Sequence, residues 1–149
     1  AMIAIARETL AQQGLPVPVE KQDVERLTYP DRHFDTVVSF GAFVHILEAD
    51  EPKLVAEVAR VLRPKGRFIF VTTDPLPPLH PARLAAEGFN AAMRLRNALI
   101  KPQFIMYYLT FLLPRARALL EAGGFTVEAP EKFFKPPLSA LRLVIARSR

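Results

Sequence analysis

The chain has 149 residues, half of them apolar, and its 20 basic and 15 acidic side chains give a formal charge of +5. That length is enough for one domain with a sizeable core, and the absence of cysteine excludes a disulfide framework and a thiolate metal site while agreeing with a reducing cytoplasm. Arg7 and Glu8 interrupt the first apolar residues before a signal-peptide core develops, and the longest apolar run, Phe104 to Leu113, is about half a membrane span, so a soluble, cytoplasmic protein is expected. The basic residues are spread in small groups, such as Arg94 with Arg96 and Arg115 with Arg117. They lack the interleaved aromatic groups of a single-strand nucleic-acid platform, so no nucleic-acid partner is expected.

In chain order, Met2 to about Gln13 reads as a helix with Met2, Ile3, Ala6 and Leu10 on one face and Gly14 as its cap. Val17 to Lys21 reads as a short edge strand, because Pro16 and Pro18 cannot donate to a ladder. Thr36 to Phe40 is a β-branched apolar run, too short for a helix, and reads as a strand buried on both faces. Asp50 is placed to cap a helix with Pro52 in its first turn and an apolar stripe of Leu54, Val55, Val58, Ala59 and Leu62. Pro64 ends it by pushing Arg63 out of helical geometry, Gly66 offers a flexible turn, and Arg67 to Thr73 follows as a second apolar strand. Strand, helix and strand at this length make a right-handed parallel crossover.

Asp74 to Pro81 is a proline-dense loop. Ala82 to Asn97, Gln103 to Leu113 and Pro114 to Ala122 then read as three helices, the last stopped by Gly123 and Gly124. The large apolar groups between Asn90 and Leu113 predict a layer buried in the core, over a hydrophobic substrate or between subunits. Phe125 to Phe133 and Ala140 to Ala146 read as an antiparallel hairpin joined through Pro136 and Pro137.

Several chemistries can be excluded by spacing. Ser39 has Val37 where a nucleophile elbow needs glycine, and no two of the six glycines form G-x-G, so neither a serine hydrolase nor a nicotinamide or nucleotide-phosphate loop is read here. His45 and Glu48 could share a helix face, but two ligands without a third do not make a metal site, and none is expected. His33 and His80 have no motif around them. Ser39, Phe40 and Gly41 end a strand at the carboxyl edge of a parallel pair, which is either a ligand edge or simple strand termination.

Four segments carry a resemblance. Asp23-Val24-Glu25-Arg26-Leu27 with Pro30-Asp31 and Phe34-Asp35, the strand from Thr36 to Phe40, the turn Arg60-Val61-Leu62-Arg63-Pro64-Lys65-Gly66, and Leu119 to Val127 stand in the order found in class I S-adenosylmethionine-dependent methyltransferases of the type 11-like group. The chain resembles that family over most of its length outside about Asp74 to Pro114.

The resemblance implies an α/β, Rossmann-like sheet, mostly parallel, closed by a C-terminal antiparallel hairpin. It implies S-adenosylmethionine as cofactor and a small, hydrophobic methyl acceptor such as a quinone, a polyketide-like molecule or a lipid-derived one. Asp23 would accept from the adenine amino group and the Val24 amide would read the ring edge. Ser39, Phe40 and Gly41 would lie beside the methionine part, and His45, matching the second histidine of the family's frequent H-H pair with Val44 in place of the first, would orient or deprotonate the acceptor.

The chain departs from the pattern in lacking the glycine-rich loop and the acidic ribose residue, which implies an N-terminally truncated, partial domain over 1–149 with a helical lid at about 75–113. Cofactor binding is then conditional on the missing half, and the isolated chain would be inactive without it. The exposed strand edge should be covered by the Val17 segment, by a second copy in a homodimer, or by an upstream partner segment. A non-catalytic, oligomerising relative that has lost cofactor binding is the alternative.

Overall fold

A computed structural model describes residues 2–100, 105–136 and 138–149. In chain order these form α1 (Met2–Gln12), β1 (Phe34–Ser39), a 3-10 turn at Phe43–His45, α2 (Glu51–Val61), β2 (Leu62–Thr73), α3 (Pro81–Ile100), α4 (Leu113–Ala122), β3 (Phe125–Val127) and β4 (Leu141–Ser148). The sheet has the order β1-β2-β4-β3. β1 and β2 run parallel, with Val37 beside Phe68, while β2 with β4 and β3 with β4 are antiparallel. The expected α/β crossover and C-terminal antiparallel pair are both present, and the described sheet is mixed, its parallel pairing confined to β1 and β2.

Alternation along the strands assigns the two faces. Phe68 and Phe70 of β2 and Val144 and Ala146 of β4 are almost wholly buried and pack with Phe125 beneath α2 and α4. α2 turns Leu54, Val55, Val58 and Val61 to that face, the helical stripe expected of it. An aromatic cluster extends the core, with Phe43 stacked on Phe111 at 3.9 Å and both edge-on to Phe70 at 5.6 Å.

The other face is only half covered. Ile69, Val71 and Ile145 are partly exposed, and Val38 and Phe40 are 52% and 61% exposed. The expectation that the Thr36 to Phe40 strand is buried on both faces is therefore corrected: packing elements lie over one side only among the described residues.

Other differences have local causes. Val17 to Lys21 forms no strand: the Val17 amide donates to the Leu15 carbonyl, the Val19 carbonyl accepts from the Arg7 guanidinium, and no partner strand lies beside it among the described residues. The outer edge of β1 is thus not covered by that segment. Asp50 precedes α2 but does not cap it through its side chain, which accepts from Lys53 Nζ at 2.7 Å instead. At the register irregularity near the start of β2 it is Lys65, φ +66°, that takes the left-handed conformation, while Gly66 is required because a Cβ there would stand 2.7 Å from the Arg63 carbonyl oxygen. β2 begins directly after α2, at Leu62, because an extended Leu62 ends the helix and pairs with Phe34.

The expected helix from Gln103 to Leu113 is also corrected where it can be read: Ile105 to Leu112 is irregular, and Gln103 and Phe104 lie outside the described residues. Leu109 and Phe111 have φ of 54° and 52°, which no α-helix accommodates, and the backbone bonds of this segment run outward to its neighbours. The strand expected from Phe125 to Phe133 stops at Val127, although the Glu128 and Glu131 amides still donate to Ile145 and Leu143; Pro130 between them has no amide to contribute.

Candidate functional site

The site is built where the parallel pair ends. The chain leaves β1 at Ser39 and β2 at Thr73, so the residues that follow both strands stand at the carboxyl edge of the sheet, where ligands of open α/β folds bind. A cavity of about 540 Å³ opens there between the loop before α2 (Ile46, Leu47), the loop after β2 (Leu76), α3 (Asn90, Arg94) and the segment of Tyr108.

The irregular 105–112 segment forms one wall, and its position is fixed by bonds from several elements. The Tyr107 amide donates to the Val44 carbonyl at 2.7 Å, and Thr72 Oγ1, in the buried end of β2, donates to the Phe111 carbonyl at 2.7 Å. Asn90 is buried in α3 and pairs with Tyr108 in both directions: its Nδ2 donates to the Tyr108 carbonyl and its Oδ1 accepts the Tyr108 amide, each at 2.8 Å. Asn97 Nδ2 donates to the Tyr107 hydroxyl at 2.7 Å. The Asn90 side-chain amide on α3 therefore takes the place of a neighbouring strand at Tyr108, which is how an irregular stretch satisfies its backbone without a helix.

His45 belongs to this framework. Its Nδ1 lies 2.8 Å from the Ile105 carbonyl, and a carbonyl partner requires that nitrogen to carry the proton. The ring is on the exposed side of the 3-10 turn and does not line the cavity, so its observed contact fastens the 105–112 segment. In the neutral form, Nε2 is then the basic nitrogen.

Asp23 and Val24 lie in an exposed turn, in which the Asp23 carboxylate accepts the Glu25 amide at 3.0 Å. Glu25 bonds Lys53 in the first turn of α2 at 3.2 Å. A helix following β1 starts at the carboxyl edge, so this contact brings the Asp23 turn to the same edge as Ser39, Phe40 and Gly41. Downstream, the Leu27 amide donates to Glu57 Oε1 at 2.7 Å, and Arg60 reaches the Leu27 and Tyr29 carbonyls and the Asp31 carboxylate. The Arg60 guanidinium holds the Glu57 carboxyl below its ordinary range.

Whether these residues suit S-adenosylmethionine can be tested on the geometry. Gly41 has φ +73° with open space where a Cβ would project, so backbone there is approachable; Asp23 offers an exposed acceptor at the same edge. The residues fit one side of such a ligand. Among the described residues no element lies on the outer side of β1 to form a second wall.

One buried group was not legible in the sequence. Glu51 is fully buried at the start of α2, with Oε2 accepting from Arg115 Nε of α4 at 2.5 Å and Oε1 without a hydrogen-bond partner. Burial pushes its carboxyl up, against the opposing pull of Arg115. Nothing in the local pattern marks a first-turn glutamate as buried, since that depends on where α4 lands. Asn90, likewise, reads from the sequence as an ordinary helix residue.

A family model described as a methyltransferase domain matches residues 1–66. The chain is 32% identical over 133 residues to the demethylmenaquinone methyltransferase of Thermus thermophilus, covering 85% of this chain and 60% of that one. Identity to the Deinococcus radiodurans enzyme of the same name is 32% over 128 residues, covering 84% of this chain and 44% of that one. The chain thus spans about half the length of these curated relatives. Among solved structures, a Pyrococcus horikoshii protein superposes with a TM-score of 0.68 at 22% identity, covering 99% of this chain and 67% of that one. The Burkholderia thailandensis 1,6-didemethyltoxoflavin-N1-methyltransferase, solved with S-adenosylhomocysteine bound, superposes with a TM-score of 0.61 at 19% identity, covering 95% of this chain and 55% of that one. In sequence the chain is similar to methyltransferases, and in fold it is similar to these solved structures.

Proposed function

We propose that this chain is the acceptor-side portion of a methyltransferase that uses S-adenosylmethionine, the cofactor of its family, to methylate a small, hydrophobic molecule. The observation that carries the reading is the cavity at the carboxyl ends of the parallel strands, walled by the segment between Ile105 and Leu112 and by α3. Its size is in the range of small-molecule sites, about 300–1,000 Å³. The quinone named in the Thermus and Deinococcus relatives is consistent with a flat, apolar acceptor here.

When bound, the cofactor supplies a methyl group on a sulfonium, an electrophile that needs no activation by the protein. The work left to this chain is in-line placement and exclusion of water. Leu76, Leu109 and Leu112 exclude water on the acceptor side. Ser39, Phe40 and Gly41 meet the ligand at the strand end, and Asp23 with the Val24 amide takes the base. His45, bonded to Ile105, keeps the cavity wall in place and so orients the acceptor indirectly. The lid at about 75–113, of which 101–104 lie outside the described residues, would combine α3 with the irregular segment in a partial domain over 1–149.

Calorimetric titration of the protein in its natural full length with S-adenosylhomocysteine tests the reading. Binding in the micromolar range is expected, weakened when Gly41 is replaced by Val; an absence of heat overturns it in favour of a non-catalytic relative. His45→Gln should lower kcat more than it weakens cofactor binding.

A further inference from the structure

The polar face of α3 points to what the cavity selects. Arg83, Glu87, Asn90 and Arg94 recur at helical spacing and all line it. Arg83 is committed to Glu87 at 2.7 Å and to the Leu76 carbonyl at 3.2 Å. Glu48, the remaining acid in the lining, faces Arg115 at 4.0 Å. Asn90 is spent on Tyr108. Arg94, one turn beyond Asn90, is left without a hydrogen bond or ion pair among the described residues.

The surroundings of Arg94 are otherwise suited to a flat apolar body. Tyr108, whose ring is tilted against Phe89 at 4.9 Å, lines the same cavity as Leu109 and Leu112. A guanidinium offers a planar fork of donors that matches a carboxylate in two parallel bonds, and it binds most strongly where apolar walls displace water. We propose that Arg94 determines acceptor specificity by binding the carboxylate of an aromatic acid whose ring lies against Tyr108. This rests on the cavity being the acceptor site of the proposed methyltransferase. It adds what that reading leaves open, a carboxylate carried by the otherwise apolar molecule accepted.

The experiment compares two isosteric probes, 2-naphthoate and 2-naphthamide, by equilibrium binding to the natural full-length protein in the absence of cofactor. The wild type should prefer the acid by about 5- to 10-fold, the difference between a hydrogen bond to a charged group and one between neutral groups. R94Q should weaken naphthoate by that factor and leave naphthamide within about twofold, while R94K, a point charge without the fork, should retain part of the preference. Arg94 is solvent-exposed on a helix, so R94Q should melt with the wild type. Equal affinity for the two probes, equal weakening of both by R94Q, or no binding of either overturns the proposal. Naphthoate selectivity without S-adenosylhomocysteine binding would instead remove the methyltransferase reading and leave the Arg94 site standing.

Discussion

The two faces of the one sheet differ more than their sequences do. Along β2, Phe68 and Phe70 are at most 1% exposed, whereas Ile69 and Val71, between and beside them, are only half-buried. In β1 the contrast is repeated, with Val37 packed against the core and Val38 52% exposed. Strands this apolar on both sides are the pattern of a sheet covered on both faces. Here α2 and α4 cover one face, and the aromatic cluster beneath them carries the cohesion of the fold. Apolar content therefore says which residues can be buried; which of them are buried is settled by the helices available to cover them.

The largest effect should come from the covered face. Phe70→Ala removes a ring in contact with Phe43, Phe68 and Phe111 and should cost about 3–5 kcal/mol in denaturant unfolding, while Ile69→Ala, its neighbour on the other face, should cost clearly less. Equal losses would show that the second face is packed as tightly as the first and would break the comparison. Next is Gly66→Ala, at the entry to β2. The Cβ would meet backbone, the Arg63 carbonyl at 2.7 Å and the Asp35 carbonyl at 3.3 Å, so no rotamer change can relieve it. Overpacking of this kind costs about 1–3 kcal/mol.

What could be read in the sequence follows the same division. The α2 stripe, the parallel crossover and the end of α4 at Gly123 and Gly124 are local, set by periodicity and by proline and glycine, and the structure has them within a few residues. The 105–112 segment defeats that kind of reading. Its apolar run favours a helix, but Asn90, Val44 and Thr72, all distant in sequence, bind its backbone and hold Leu109 and Phe111 at positive φ. The ligand edge at Ser39 to Gly41 was legible because strand ends are local. The cavity beyond it was not, since its walls are joined by those same long-range bonds, and the exposure of Val38 depends on a missing cover that no local pattern encodes.

A smaller, pH-dependent effect compares two carboxylates of α2 on the covered face. Glu51 has its carboxyl raised by burial, so the stability it contributes is full below the unfolded value near 4.5 and is lost as pH rises through its elevated folded value. Glu57, lowered by Arg60, works the other way: its contribution is present above about 4.5 and is lost as pH falls through the depressed value. In thermal melts across pH, Glu51→Gln should flatten the decline on the alkaline side of 4.5, and Glu57→Gln should flatten the loss on the acid side. A Glu51→Gln profile parallel to that of the wild type would mean that water reaches Glu51 and that the seam between α2 and α4 is not closed.

The smallest effect should come from α1. None of its residues is buried, Ile5 is 61% exposed, and its described side-chain link to the rest of the chain is the pair of bonds from Arg7 to the Val19 carbonyl. A helix of 11 residues has marginal stability in water without packing. Ile5→Ala should therefore change unfolding free energy by less than about 0.5 kcal/mol, as for exposed sites generally. Its amides should exchange with solvent far faster than those of β2, which are bonded on both sides. Protection of α1 comparable to β2, or a loss from Ile5→Ala approaching that of Ile69→Ala, would mean that α1 is docked in solution against an apolar surface. The open face of the sheet, with Val38 and Phe40, is the surface it would have to cover, and the contrast between the two faces would then describe an undocked state of the chain.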